Sequence, residues 1–214
     1  MTTETDARAN MKDVRRHYDL SNIDFSRLRA EFERSPYKQV LMLNLREKIE
    51  ERLAMMLAAN PTRTDLYERY QEIVQEYNKD RDEAEIQCVF DDLTAYNANL
   101  DYETRRYVRE ELDNEEQLAV FDLLQKDSLG RSERESIKKT AVDLLAKLQD
   151  IQSQIDHSRE KASAQAQVRA EIIKHLFANM PGDRYSDDEI SQKADVLFAH
   201  IYTTLDAGAS VTIH

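Results

Sequence analysis

The stretch NPTRTDLYERYQEIVQEYN, residues 60–78, decides the fold, because it combines a helix end, a helix start and one apolar stripe. Proline disfavours the helical conformation of the residue before it, so the preceding helix should end near Asn60. The hydroxyl of Thr64 can cap the next helix, and Asp65 complements the positive end of the helix dipole. Apolar residues then recur every three or four positions, which predicts one buried face. That face comprises Leu66, Tyr67, Tyr70, Ile73, Val74 and Tyr77.

Composition extends the helical prediction to the whole chain. The 214 residues include only three glycines and three prolines, where average usage would give roughly 25 of the two together. Few positions can therefore form the tight turns that hairpins require, and no segment alternates apolar and polar residues for long enough to predict a strand. The sequence predicts an all-α fold, an irregular bundle of about nine helices without a significant sheet.

Capping residues and apolar spacing mark the individual helices. Asp101 and Asn114 are predicted N-caps, whereas Ser132 to Glu135 and Ser186 to Glu189 have the spacing of capping boxes. The helix that follows Ser35-Pro36 should bury Val40, Leu43, Ile49, Leu53, Met56 and Leu57. A later helix should bury Val168, Ile172, Leu176 and Phe177.

The distribution of apolar residues also predicts the domain organisation. Residues 1–22 are polar and weakly periodic, which predicts a flexible N-terminal arm. Residues 23–205 are predicted to form a single helical domain, and residues 206–214 a loose tail. Residues 156–167 hold no large apolar side chain, so a boundary within the domain is expected there if it has one.

The net charge of −12 limits the partners that the chain can have. It results from 42 acidic and 30 basic side chains mixed along the sequence. A negative field repels phosphate backbones, so DNA is expected to be contacted only indirectly or weakly. The local cluster of Arg105, Arg106 and Arg109 is either a solvated helix face or an exception to that rule. No signal peptide and no apolar run of roughly 18 residues are found, which predicts a cytoplasmic protein without membrane contact.

The residues that carry chemistry are absent or wrongly spaced for the common sites. None of the three glycines is followed by lysine, as a phosphate-binding loop requires, and no lysine has an acidic residue two positions earlier, as restriction-type nucleases require. The five histidines include no pair four residues apart, the usual helical zinc pattern. His175 and His200 are predicted to be structural, and Cys88 to be a small core residue. The sequence predicts no catalytic, cofactor or metal site in this chain.

Four segments instead resemble one family, the C-terminal helical region of the restriction (R, or HsdR) subunit of type I restriction-modification enzymes. They are residues 60–78, LREKIEERLAMMLAANPTR (45–63), YVREELDNEEQLAVFDLLQKDSLGRSERESIKKTAVDLLAKL (107–148) and YSDDEISQKADVLFAHIY (185–202). Their order and spacing are similar to those of the family over about residues 24–205. Family members often carry a tryptophan near the position of His157, whereas this chain has none.

The resemblance implies a non-catalytic module. Such a module would dock the nuclease and translocase subunit onto the methyltransferase core, chiefly its modification subunit. The parent subunit would be an ATP-dependent type I site-specific deoxyribonuclease that uses ATP and Mg²⁺ through domains upstream of this region. The chain is therefore expected to correspond to the C-terminal part of such a subunit and to bind no cofactor itself.

Four polar residues of the motif are the candidate partner contacts, namely Arg63, Asp65, Glu68 and Arg69. Their alternative role is helix capping and salt bridges inside the domain. Three further functions stay open for the whole chain. It could contact DNA directly within the parent complex, brace the motor, or act alone as an acidic regulator that mimics DNA.

Overall fold

The computed structural model describes residues 25–77, 83–127, 129–154 and 161–210, which contain nine α-helices and no strand. The all-α prediction is confirmed. In chain order the helices are α1 (Phe25–Arg34), α2 (Lys38–Ala59), α3 (Thr64–Tyr77), α4 (Glu83–Thr104), α5 (Arg106–Arg109), α6 (Glu115–Leu124), α7 (Arg131–Gln154), α8 (Lys161–Asn179) and α9 (Asp187–Ser210). The predicted arm, residues 1–22, lies outside the described residues. No helix within them is long and apolar enough to cross a membrane.

The chain groups into two compact units. Unit 1 comprises Met1–Glu51 and Glu72–Asp101, and unit 2 comprises Arg52–Gln71 and Tyr102–His214. The division falls within α2, α3 and α4, so each of these helices contributes residues to both units. A compact unit need not fold independently, and the predicted single domain over residues 23–205 stays a prediction.

Unit 1 contains an aromatic stack. The rings of Phe32 in α1 and Phe90 in α4 lie parallel, with centroids 3.7 Å apart, and both side chains are fully buried. Arg29 and Asp91 form an exposed ion pair, 2.8 Å apart, one turn from that stack. In the described part of this unit, the other buried apolar residues are Met42, Leu45, Ile49, Val89, Leu93, Tyr96 and Leu100.

Unit 2 is organised around α6, whose residues are apolar on almost every side. Such a helix must be enclosed by other elements, and contacts of α6 with α7 and α9 and of α8 with both of these helices provide the enclosure. The buried cluster comprises Leu112, Leu118, Val120, Phe121, Leu124, Ile137, Ala141, Leu144, Leu148, Ile172, Leu176, Met180, Tyr185, Ile190, Ala194, Leu197 and Ile201.

Two predicted helix starts are confirmed. The amide oxygen of Asn114 accepts a hydrogen bond from the backbone of Gln117 at 2.9 Å, which caps α6. At the start of α9, the backbone of Ser186 donates to Glu189 at 2.8 Å, and the backbone of Glu189 donates to the Ser186 hydroxyl at 3.2 Å. This reciprocal pair is a capping box.

Two other predicted starts, at Ser132 and at Asp101, are wrong. Helix α7 begins at Arg131, one residue before the predicted box, and the backbone of Gly130 donates to Glu133 at 2.6 Å. Glu135 instead pairs with Lys138, one turn further along the helix. Asp101 starts no helix either, because α4 continues to Thr104. Local capping preference is weak and yields to tertiary packing, here to the burial of residues such as Leu100 beside it.

Helix boundaries differ from the predictions at two further places. Helix α3 begins at Thr64 itself, and Arg63 and Asn60 form the turn that precedes it. Helix α9 continues to Ser210, so its end covers residues 206–210 of the predicted loose tail. Residues 211–214 lie outside the described part of the chain, as does part of the proposed boundary at 156–167.

Several residues predicted to be buried are exposed. In α2, Val40 and Leu43 are 41% and 55% exposed, whereas Met42 and Leu45 are buried in their place. The run VLMLNL places apolar side chains on every face of the helix, so spacing alone could not select the inner one. Cys88, also predicted to belong to the core, is exposed too. Among the residues whose burial is described, Tyr67 and Phe177 are the remaining exceptions.

Adjacent residues of α8 offer a direct test of this correction. Leu176 is fully buried and Phe177 is 44% exposed. We expect Leu176→Ala to lower the free energy of unfolding by about 3 kcal/mol, because it leaves a cavity. Phe177→Ala should cost less than about 1 kcal/mol, since a half-exposed ring loses little packing. Urea denaturation followed by circular dichroism measures both, and equal losses would support the sequence prediction over the structure.

Candidate functional site

The turn at the start of the motif is held by a buried asparagine. Asn60 is fully buried, and its side-chain oxygen accepts hydrogen bonds from the backbone and the hydroxyl of Thr62, at 3.2 and 2.8 Å. Its amide nitrogen donates to Asp122 in α6 at 2.7 Å. One side chain therefore shapes the turn before α3 and attaches it to α6.

Arg63, a predicted partner contact, is occupied inside unit 2. The residue is 4% exposed, and its Nη1 lies 2.7 Å from Oε1 of Glu115. Within the described residues, Oε1 of Glu115 accepts no hydrogen bond that meets the angular criteria. Its contact with Arg63 is therefore an ion pair. Nη2 of Arg63 also donates to the backbone oxygen of Glu103 at 3.2 Å. This arrangement is the alternative that the sequence left open, a salt bridge within the domain.

Burial shifts the pKa of the partner of Arg63. Desolvation raises the pKa of Glu115 above its usual value, although the positive charge of Arg63 acts in the opposite direction. Removing either charge would leave the other one partly buried and unpaired, which is costly. The pair therefore fixes the start of α3 against the start of α6, both in unit 2.

Asp122 joins the turn to the basic cluster. Its carboxylate accepts two hydrogen bonds from Arg106 of α5, at 2.7 and 2.9 Å, as well as the bond from Asn60. The Asp122 side chain is only 6% exposed. Arg106 is thus committed to a bidentate pair of the kind that fixes geometry, and it is not part of a solvated basic face.

The C-terminal end of α6 is capped by side chains from the last segment. The Lys193 ammonium donates to the backbone oxygens of Leu123 and Gln125, at 2.9 and 2.8 Å, and the Tyr185 hydroxyl donates to that of Leu124 at 3.0 Å. These are carbonyls that a helix end leaves without internal partners. Burial lowers the pKa of Lys193, and burial with the nearby Glu189 charge raises the pKa of Tyr185 to about 12.

Lys126 completes this end of the helix. Its ammonium lies 4.6 Å from the centroid of the Tyr185 ring and donates to Glu189 at 2.9 Å. The hydrogen bond from Lys126, followed by that from the Ser186 backbone, lowers the pKa of Glu189 to about 2. The capping box of α9 and the end of α6 are therefore joined through one carboxylate.

The remaining predicted contacts lie on the outside of α3. Asp65, Glu68 and Arg69 are all exposed, and Tyr67 between them is 43% exposed. Leu66 and Tyr70 are buried and attach the helix to its surroundings. We call the exposed set, Asp65, Tyr67, Glu68 and Arg69, the α3 face. The structure thus separates Arg63 from the other three predicted residues.

His175 lies in the packed interior between α7 and α8. It is 3% exposed, and its Nδ1 lies 3.0 Å from the ammonium of Lys147 and 3.4 Å from the amide nitrogen of Asn179. Burial lowers the pKa of His175, and the charge of Lys147 lowers it further. Burial also lowers the pKa of His200. No group of three potential metal-ligating side chains occurs in the part of the chain that the structure describes.

Comparison of the chain with protein-family models, with curated proteins and with solved structures finds no match. The resemblance to the restriction subunit therefore stays a prediction. Its quoted segments do acquire a structural meaning. The motif at residues 60–78 contributes Asn60 and Arg63, residues 107–148 contribute Asp122, and residues 185–202 contribute Tyr185 and Lys193. Hydrogen bonds and an ion pair of these five side chains attach α6 to its neighbours in unit 2.

Sequence reasoning missed Asp122, although a signal was present. The residue interrupts the apolar run LAVFDLL, and a charged group in such a run needs a partner once the helix is buried. Its partners are Asn60 and Arg106, 62 and 16 positions away in sequence. Nothing in the local pattern indicates which distant residues these are.

The Asp122 pair can be compared with a matched exposed pair. We expect Asp122→Asn to lower the free energy of unfolding by about 2–4 kcal/mol, because the half-buried Arg106 loses its counter-charge. Asp195→Asn breaks the pair of Asp195 with Arg169, in which both side chains are more than half exposed, and should cost about 0.5 kcal/mol or less. Urea denaturation measures the difference. Similar losses for the two variants would show that the network around α6 is not a stability determinant.

The lowered histidine pKa values predict a pH dependence of stability. The unfolded imidazole takes up a proton near its ordinary pKa of 6.5, whereas folded His175 resists it. The unfolded state then binds more protons, so stability should fall as pH falls below about 6.5. His175→Gln should lose less stability between about pH 7.5 and 5.5 than the unsubstituted chain. His200 acts in the same direction, and the double variant with His200→Gln should show the flattest profile. An unchanged slope in both variants would contradict this assignment.

Proposed function

We propose that this chain is a protein-docking helical module, the C-terminal part of a type I restriction enzyme R subunit. In this proposal it attaches the nuclease and translocase subunit to the modification subunit of the methyltransferase core. The sequence resemblance suggests the family. The motif has buried residues that attach it to α6 and exposed residues that are available to a partner, and this supports a docking role. The observation that carries the proposal is the α3 face.

The inner side of the motif positions this face. Asn60 and Arg63 attach the turn before α3 to α6, and Leu66 and Tyr70 are buried behind the helix. Sites on well-anchored helices present their side chains with more precision than sites on loops. The outer side therefore offers a contact surface whose geometry is set before any partner binds, which reduces the entropic cost of association.

The composition of the α3 face suits a protein partner. Tyrosine and arginine are enriched among the residues that dominate binding energies, and the face contains Tyr67 and Arg69. Asp65 and Glu68 are exposed one turn apart, which favours a basic patch on the partner. The predicted use of ATP and Mg²⁺ belongs to the parent subunit in this proposal, as does the cytoplasmic location.

A direct role in DNA contact has less support. Of the three arginines that suggested it, Arg106 pairs with Asp122, and Arg109 contacts Glu103 and the Tyr102 backbone. Only the third, Arg105, makes no ion pair within the described residues. A DNA mimic is also disfavoured, because mimicry needs a surface of carboxylates with few cations, whereas the chain carries 30 lysines and arginines.

Charge reversal on the α3 face tests the proposal. We expect the double variant Asp65→Lys/Glu68→Lys to bind the purified methyltransferase core at least about tenfold more weakly, since two favourable charges become repulsive. Arg69→Glu should also alter the affinity. Binding is measured by isothermal titration calorimetry without DNA. Charge reversal of Arg63 is unsuitable here, because the residue is buried and its loss would perturb folding.

A matched control carries the same change in charge elsewhere. Glu47→Lys/Asp92→Lys reverses two exposed carboxylates in unit 1 and should leave the affinity within about twofold. If the unsubstituted chain does not bind the core at all, the docking function is wrong. If it binds and both double variants bind equally well, docking occurs through another surface.

A further inference from the structure

A second exposed surface lies where α4 ends and α5 begins. Tyr102 and Val108 are 58% and 59% exposed, and α5 itself contains no buried residue. Two large apolar side chains are thus left in water within one short segment. We call Tyr102, Arg105, Val108 and Arg109 the α5 surface.

The segment is nevertheless fixed from behind. Arg106 forms its bidentate pair with the buried Asp122, and Glu110 pairs with Lys138 of α7 at 3.1 Å. The chain then leaves α5 through Glu111, whose φ of 58° lies in the left-handed region. A residue without glycine's freedom adopts this conformation only where its surroundings impose it. The next residue, Leu112, is buried and bonds back to α5.

Arg109 holds the exposed tyrosine ring in one orientation. Its guanidinium carbon lies 3.4 Å from the centroid of the Tyr102 ring, a cation–π contact. The same guanidinium donates to the backbone oxygen of Tyr102 and to Glu103 at 3.4 Å. A ring that is already ordered loses little conformational entropy when a partner covers it. This surface is thus prepared for contact although nothing in unit 2 covers it.

Arg105 supplies the surface with a free charge. It is exposed, and its guanidinium has no ion pair in the described part of the chain, in contrast to both neighbouring arginines of the cluster. Its backbone donates to Tyr102, and it precedes Val108 by three positions, so the three residues follow one another along the helical surface. A free guanidinium is suited to bind a carboxylate through two parallel hydrogen bonds.

The surroundings distinguish between a protein and a nucleic acid as the partner. Glu103 and Glu110 are neutralised by their pairs with Arg109 and Lys138, so a single carboxylate can approach Arg105. A phosphate backbone is a polyanion and is repelled by the net charge of −12 of the whole chain. The exposed Val108 also has no use in binding phosphates, whereas apolar side chains beside arginine and tyrosine are typical of protein interfaces. The chemistry therefore fits an acidic protein segment with an apolar residue next to its carboxylate.

We propose that the α5 surface is a second protein-contact surface, which binds a segment of the modification subunit through a carboxylate on Arg105 and an apolar side chain on Tyr102 and Val108. This inference rests on the docking function proposed above and adds the chemistry of a second partner segment to it. The α3 face would bind a basic patch of the partner, and the α5 surface an acidic segment.

The test is calorimetric titration of the full chain with the purified methyltransferase core. We expect Arg105→Glu to weaken binding by about tenfold or more, because it sets a carboxylate against the partner's own. Val108→Ser should weaken it by several-fold. The matched control is Arg131→Glu, which reverses an exposed arginine at the start of α7 that also has no ion pair within the described residues, and it should change the affinity by less than about twofold. Circular dichroism confirms that each variant is folded.

The outcomes separate this inference from the docking function. If the core binds the unsubstituted chain and the Arg105→Glu variant equally well, the α5 surface is not a partner contact, and the proposed docking function is unaffected. If the unsubstituted chain does not bind the core, both proposals fail. A parallel titration with a duplex DNA of about 30 base pairs gives the third outcome. Loss of DNA binding in Arg105→Glu without a change in core binding would make the surface a nucleic-acid contact and overturn the inference.

Discussion

The rest of unit 2 depends on how the buried helix α6 satisfies its polar groups. A helix leaves backbone amides at its start and carbonyls at its end without internal partners, and these groups are costly to bury. In α6 the start is capped by Asn114 and the end by Lys193 and Tyr185. Asp122, in its last turn, is satisfied by Asn60 and Arg106. Apart from Asn114, these partners come from the turn before α3, from α5 and from the last segment, so α6 determines where those elements lie within the unit.

This arrangement gives a structural role to polar residues in the most distinctive segments of the sequence. These residues contact the backbone and side chains of one helix, and their hydrogen bonds and one ion pair attach the segments to it. Asn60 and Arg63 act from the turn before α3, and Tyr185 and Lys193 from the last segment. On the outer side of α3, Asp65 and Glu68 of the same motif are exposed. Structural and candidate binding roles thus alternate within a few positions.

The sequence predicted the fold class and many of the helices, because apolar spacing and short-range capping depend on neighbouring residues. The capping box at Ser186 and the cap at Asn114 are such local signals. Sequence-based prediction failed where the burial of a side chain depends on residues that are distant in the chain. The inward face of α2 could not be chosen from a run that is apolar on all sides, and the exposed position of Tyr67 follows from tertiary packing. Among the candidate contacts, the burial of Arg63 depends on Glu115, 52 positions later in the chain, and no spacing rule links the two.

The Lys193 cap has a consequence for how the protein is made. Its bonds to Leu123 and Gln125 span 70 and 68 positions of sequence, so α6 is synthesised long before the side chain that completes its end. Until α9 leaves the ribosome, the Lys193 side chain cannot cover these carbonyls, and the side of α6 that contacts α9 lacks its partner. The cap of α6 is therefore completed only after α9 has been translated. A chain truncated before α9 lacks Lys193 and therefore cannot complete the cap of α6.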